Sequence, residues 1–174
     1  NVAVGRNSLR NLNHTTATNA YNVAVGNEAG QGITTGVQNT LIGGLAGDAL
    51  TDADHNVAVG LNALTADTLG SKSTAIGTGA LGTQNFTTAT DSFNTAVGYD
   101  AGVAVTTGVH NTLIGATAGD ALTAGGSNTV LGRDALSADT LGSRAVAIGE
   151  AALQAQNFTT ATEHYNVAVG YATG

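Results

Sequence analysis

The chain has 174 residues with 25 glycines and no proline, cysteine, methionine or tryptophan, and its 12 acidic and 5 basic residues give a net charge of -7. Without cysteine there are no disulfides, thiol nucleophiles or thiolate metal sites. The acidic balance argues against a nucleic-acid partner, because such binding depends on Lys and Arg displacing counterions. No apolar run is long enough for membrane contact by this segment.

A short apolar segment ending in glycine recurs along the whole chain. These glycines fall at positions 5, 26, 43, 60, 77, 98, 115, 132, 149 and 170. The intervals run 21, 17, 17 and 17 residues and then begin again, which predicts a solenoid of 17- and 21-residue coils in a 72-residue super-repeat. In chain order there is a partial unit (1–21), two complete units (22–93 and 94–165) and a second partial unit (166–174). We interpret 1–174 as a single repeat domain and a fragment of a longer fibre.

Each coil is numbered so that this glycine is position five. Position one is Asn in most coils, position three is always apolar, and position four is always Val, Ile or Leu. β-Branched residues between Asn and Gly, without proline, predict a short strand. The fold class is therefore all-β, a parallel β-solenoid or β-roll. We interpret the Asn column as turn residues whose stacked amides form ladders between coils.

Side chains alternate between the two faces of a strand, and here both faces are apolar. One face can line the interior of the coil, but the other needs a cover that this chain lacks. The simplest cover is another copy of the same chain. We expect position three to face that copy, which makes the following residues the predicted assembly face: Ala24, Ala58, Ala75, Ala96, Ala147 and Ala168.

The segments NVAVG, NTAVG, STAIG and AVAIG resemble the head repeats of YadA-like trimeric autotransporter adhesins. They are equally similar to bacterial and phage tail-fibre repeats, to which residues 94–102, NTAVGYDAG, are the closest match. The resemblance implies a homotrimeric, left-handed parallel β-roll that lies outside the cell, on a bacterial surface or a phage virion, and serves attachment. The 17- and 21-residue coils are longer than the repeat usual in YadA-like heads.

The long coils carry the only irregular feature. Their four extra residues are predicted to fall within 14–21, 86–93 and 158–165, and most aromatic side chains of the chain lie there. As a protrusion, these segments could stack on sugar rings; as part of the interior, the same rings would only cap the widened lumen. The candidate ligand contacts, to a carbohydrate or protein receptor, are Tyr21, Phe86, Phe93, Phe158 and Tyr165.

Three N-x-T sequons also recur in the long coils, at Asn13, Asn85 and Asn157. Such sequons mark surface loops that a glycosylation system could use, although duplication of the unit alone explains their spacing.

Chemistry of other kinds has little support in the sequence. Asp52, Asp54 and His55 lie close together, but Ala124, Gly126 and Ser127 stand at the same places in the second unit, so we predict no metal site and no cofactor. No convergent nucleophile, base and orienting group is recognisable, so we predict that the chain is not an enzyme.

The expected function is the structural and adhesive shaft of an extracellular or virion fibre that attaches to a host, cell surface or matrix. The alternatives are a structural filament without a receptor and an ice-binding β-solenoid with ordered threonine columns.

Overall fold

The computed structural model describes residues 1–174 and is a parallel β-solenoid of about ten turns without any helix. Each turn contributes one three-residue strand, and four two-residue strands form a second wall beside the long coils. The strands are β1 Val2–Val4, β2 Val23–Val25, β3 Thr40–Ile42, β4 Val57–Val59, β5 Gly70–Ser71, β6 Thr74–Ile76, β7 Thr90–Asp91, β8 Thr95–Val97, β9 Thr112–Ile114, β10 Thr129–Leu131, β11 Gly142–Ser143, β12 Val146–Ile148, β13 Thr162–Glu163 and β14 Val167–Val169.

The ten three-residue strands form one parallel sheet in the order β1-β2-β3-β4-β6-β8-β9-β10-β12-β14. Every residue pairs with the residue at the same position of the next coil, as in Ala75 with Ala96 and Ala96 with Leu113. Paired residues are 17 or 21 positions apart, which confirms the predicted solenoid and its coil lengths.

The extra residues of the long coils lie where the sequence predicted them. Up to Asn85 the coil keeps the short-coil spacing, since the Thr68 hydroxyl donates to the Asn85 side chain 17 residues later. Further along, β5 pairs with β7 at a spacing of 20 residues, and β6 pairs with β8 at a spacing of 21. Three residues are therefore inserted between Asn85 and β7, and one more between β7 and β8.

The glycine at position five is required by both its backbone angle and its stacking. Gly98 has a φ of 142°, a region that side chains rarely adopt. A Cβ atom there would lie 2.4 Å from the carbonyl oxygen of Gly115 in the next coil. A residue with a side chain would therefore push two coils apart, which explains why this column is glycine throughout.

The core is one continuous column of 28 buried residues inside the coils. Large side chains alternate between two core positions, nine and twelve. In one coil Leu50 fills position twelve and position nine is Gly47, where a Cβ atom would be only 2.8 Å from Leu41 and Leu50 side-chain carbons. In the next coil position twelve is Asp67, and position nine becomes the buried Leu64. From the second coil onward, a large side chain at one of these two positions goes with a small or polar one at the other, as dense packing requires. The first coil has Leu9 and Leu12 at these positions.

Position-one asparagines line the interior as a buried ladder. The Asn39 Nδ2 donates to Asn22 Oδ1 at 3.3 Å and to the Ala53 carbonyl at 2.7 Å, and the Asn39 backbone N–H donates to the same Asn22 oxygen at 2.9 Å. The predicted amide ladder is confirmed. The left-handed backbone angle, however, belongs to the residue before each Asn, such as Gln38 with φ 58°, and not to the Asn itself.

Candidate functional site: the outer sheet face and the long-coil corners

The predicted assembly face points inward. Ala24, Ala58, Ala75, Ala96 and Ala147 are 0% exposed in the single chain, and Ala168 in the last strand is 7% exposed. They belong to the core and cannot contact a second copy. The assignment of these residues to an assembly face is therefore wrong, because positions one and three share the inner face and leave positions two and four outside.

The surface that remains uncovered is made of positions two and four of the ten strands, and we call it the outer sheet face. Position two is Val or Thr and position four is Val, Ile or Leu in every coil. Large apolar side chains at position four are partly exposed in mid-sheet, at Ile42, Ile76, Ile114 and Leu131. The outer sheet face thus carries an unbroken apolar row at position four, beside a mixed row of Val and Thr at position two, and has no covering layer.

Two of the predicted ligand-contact rings are not free surface rings. Phe86 is only 6% exposed, and its ring lies so close to Gly70 that a Cβ atom there would be 2.8 Å away. The prediction of a ligand contact is wrong for Phe86, which fills the lumen where the coil widens. Phe158 is half-buried and stacks on His164 with ring centroids 4.5 Å apart.

The other three predicted rings are exposed and occupy equivalent corners. Tyr21, Phe93 and Tyr165 each precede position one, have φ of 50° to 52°, and are 63%, 49% and 62% exposed. With the equivalent residues of the short coils they form a column of exposed side chains along one edge of the outer sheet face. We call it the corner column: Tyr21, Gln38, His55, Lys72, Phe93, His110, Ser127, Arg144 and Tyr165.

In the first complete unit, Phe93 lies within a small polar arrangement. The Lys72 Nζ is 5.2 Å from the centre of its ring and donates to Asp91 Oδ2 at 2.6 Å. On the other side His110 stacks against the ring at 5.5 Å. A cation, a carboxylate and an aromatic ring thus meet at this corner, and all three side chains are in contact with solvent.

The second complete unit repeats the arrangement with different residues. The Arg144 guanidinium is 5.5 Å from the ring centre of Tyr165 and pairs with Glu163 at 2.9 Å. The Tyr165 hydroxyl donates to Glu163 at 2.8 Å. This hydrogen bond, together with the Arg144 pair, lowers the pKa of Glu163. The same hydrogen bond raises the pKa of Tyr165, against the opposing effect of the Arg144 charge. We call the two sets Lys72, Asp91, Phe93 and Arg144, Glu163, Tyr165 the corner triads.

Buried carboxylates hold the start of each insertion, a feature that sequence reasoning missed. Asp67 is 0% exposed and accepts the backbone N–H groups of Gly70 and Phe86, each at 3.0 Å, and the Gln84 amide at 2.5 Å. Asp139 does the same in the second unit. A signal was present, since Asp replaces Leu, Ile or Val at position twelve just before a long coil.

The three sequon asparagines, Asn13, Asn85 and Asn157, are all exposed. The Asn85 and Asn157 side-chain oxygens accept from Thr68 and Thr140 at 3.2 and 3.3 Å. Their glycosylation stays a prediction.

The residues considered for a metal are engaged with neighbouring coils. Asp52 accepts from the Thr35 hydroxyl at 2.6 Å, and Asp54 accepts from the Val37 backbone N–H at 2.7 Å. No group of three or more His, Cys, Asp or Glu side chains is arranged to hold a metal ion.

One acidic residue is placed unfavourably. Asp120 Oδ1 is buried without a hydrogen-bond partner, and partial burial, together with Asp134 and Asp100 nearby, raises the pKa of this carboxyl. A raised folded-state pKa means that ionisation costs folding stability, and the cost is complete at neutral pH. We expect Asp120→Asn to stabilise the fold at pH 7 by about 0.5 kcal/mol, a figure kept small because the carboxyl as a whole is only partly buried.

The Asp120→Asn gain should be measured by chemical denaturation across pH. It should shrink as the pH falls through the raised folded-state pKa and vanish below about pH 4, where the unfolded carboxyl is protonated as well. Asp48→Asn is the matched control, because Asp48 is the equivalent of Asp120 in the first unit. Asp48 has Asn62 where Asp120 has Asp134, and it accepts from the Thr65 hydroxyl at 2.5 Å. A loss of stability in Asp120→Asn at pH 7 would contradict the assignment.

Comparison with known proteins gives no relative for this chain: no family model, curated protein or solved structure matches it. There is no helix of the length and apolar character needed to cross a membrane.

Proposed function

We propose that this chain is part of the shaft of an extracellular surface fibre, on a bacterial cell or a virion, that assembles as a homotrimer and serves attachment. The outer sheet face is the observation that carries the proposal. Ten strands at about 4.8 Å make it roughly 48 Å long, and three residues make it about 10 Å wide. The face therefore measures on the order of 500 Å², and the apolar row runs along all of it, in the size range of exposed patches that are often functional on soluble proteins.

A second copy of the chain is the natural cover for this face. The outer sheet face repeats every coil and lengthens with each coil added, so its match in length is another solenoid. The number of three chains, and the 72-residue super-repeat as a unit of the fibre, follow from the resemblance and the sequence pattern. The corner column lies along the rim of the outer sheet face, where it stays accessible for attachment.

The mass of the particle in solution tests the proposal. Sedimentation equilibrium is expected to give the mass of three chains, and electron microscopy is expected to show thin rods. A single 17.0 kDa species with the outer sheet face in water would overturn the proposed assembly.

Ice binding is a second candidate, favoured by one observation. Thr74, Thr95, Thr112 and Thr129 occupy position two in four consecutive coils of the outer sheet face. They form a flat column of hydroxyls about 4.8 Å apart. Thermal hysteresis in the purified chain would favour this function, and its absence would remove it.

A further inference from the structure

We propose that the corner triads are binding sites for a neutral carbohydrate chain that lies along the rod. The inference deepens the proposed attachment function and rests on it. It starts from the two triads, in which a cation, a carboxylate and an exposed ring meet at equivalent corners.

Comparison of the two units singles out these positions. The units are identical at more than half of their residues, yet all three triad positions differ: Lys72 corresponds to Arg144, Asp91 to Glu163, and Phe93 to Tyr165. At each position the chemical class is retained. The other corner residues drift, as His55 corresponds to Ser127 and Gln38 to His110. The combination of ring, cation and carboxylate is kept although none of its residues is.

The chemistry of the triad fits a sugar. The exposed part of each ring offers apolar surface to the carbon-bound hydrogens of a sugar ring. In Phe93 this is the ring edge, because Lys72 and His110 lie against its two faces. A sugar hydroxyl both donates and accepts, so one hydroxyl can donate to Glu163 and accept from Arg144. The side chains lie at the surface, with Arg144 and Glu163 47% and 56% exposed, so a ligand can reach them without moving the backbone.

Charge selects a neutral ligand. The cation and carboxylate of each triad balance, and an acidic sugar would compete with Asp91 or Glu163 and be repelled by the net charge of -7. A cationic ligand would meet Lys72 or Arg144 beside the ring.

The spacing suits a polymer. Phe93 and Tyr165 are four coils apart in the sheet order, or about 19 Å, and Tyr21 continues the row at the same interval. Weak sites in a row on a rigid rod bind a long chain much more tightly than a short one, because later contacts are intramolecular.

The test is titration of the full chain with cellohexaose, maltohexaose and mannohexaose, with hexagalacturonate as the acidic comparison, followed through tyrosine and phenylalanine ring signals in NMR. At least one neutral hexasaccharide is expected to shift the Phe93 and Tyr165 signals, and hexagalacturonate to bind more weakly. The Phe93→Ala/Tyr165→Ala variant should lose affinity by about tenfold or more. Asp91→Asn/Glu163→Gln should also weaken binding while the rings remain.

Tyr99→Ala is the matched control, because Tyr99 is 60% exposed but has Thr78 and Ala116, with no cation, beside it in its column. It should bind as the unchanged chain does. The inference is overturned if no neutral hexasaccharide shifts these signals at about 10 mM, or if the double alanine variant binds normally. Sedimentation separates the two proposals. Three-chain mass without glycan binding overturns the triad site alone, whereas glycan binding by single chains overturns the trimer and leaves the site standing.

Discussion

Ala96→Asp is expected to cost about 4 kcal/mol or more of folding stability, since a charge buried without a partner is among the most destabilising changes known. Ala96 is 0% exposed and lies between Ala75 and Leu113 in the inner column. No cation lies in the core to pair with the new carboxylate. Because each coil of a solenoid is stabilised by its neighbours, the damage should spread to the coils on both sides.

Thermal unfolding followed by far-UV circular dichroism measures this effect. Hydrogen exchange should locate the loosened coils around β8. The control is Ala89→Asp, the same chemical change at an exposed position in the insertion between Asn85 and β7, which should melt close to the unchanged chain. If the two variants melted alike, position three would have to face solvent or a partner, and the description of the core would fail.

The strands and their register could be predicted from the sequence because glycine follows the strand in every coil and asparagine precedes it in most coils. Gly98 is needed for its backbone angle and for contact with the next coil, so the column cannot vary. The spacing of these glycines also revealed the long coils, because three intervals measure 21 residues instead of 17; their extra residues were predicted within 14–21, 86–93 and 158–165.

Which face is inside could not be read from hydrophobicity, because positions two, three and four are all apolar or Thr. The better signal was size and polarity along the inner face. Position one is a buried Asn whose side-chain amide hydrogen-bonds to the backbone inside the coil. Position three lies on the same face two residues later. An interior this narrow admits mostly Ala at position three, whereas the larger Ile114 and Leu131 are placed outside.

The corner triads depend on contacts between coils that sequence order alone does not reveal. Lys72 meets Asp91 across 19 residues, and Arg144 meets Glu163 at the same separation. The sequence predicted all the rings of the long coils to be alike, but Phe86 is buried in the lumen and Phe93 is exposed at the corner. Asp67 accepts the Phe86 backbone N–H and holds it in the lumen, while the residue inserted between β7 and β8 leaves Phe93 at the corner.

The double variant Ile114→Asp/Leu131→Asp is expected to convert the proposed trimer into single chains. Ile114 and Leu131 are 36% and 46% exposed and occupy position four of β9 and β10 in the middle of the outer sheet face. In a trimer built on this face, six new carboxylates would face one another in a dry contact. Like charges placed together at an interface cost several kcal/mol, enough for a hundredfold or greater loss of association.

The solenoid itself should survive this change, because both side chains point away from the core. Sedimentation equilibrium should therefore show a fall to one-chain mass, while far-UV circular dichroism keeps the β signal. Thr88→Asp/Thr160→Asp adds the same charge at two exposed residues of the long-coil insertions and should keep the three-chain mass. A three-chain mass in the Ile114→Asp/Leu131→Asp variant would mean that some other surface holds the copies together, since no apolar contact could form over the charged strands.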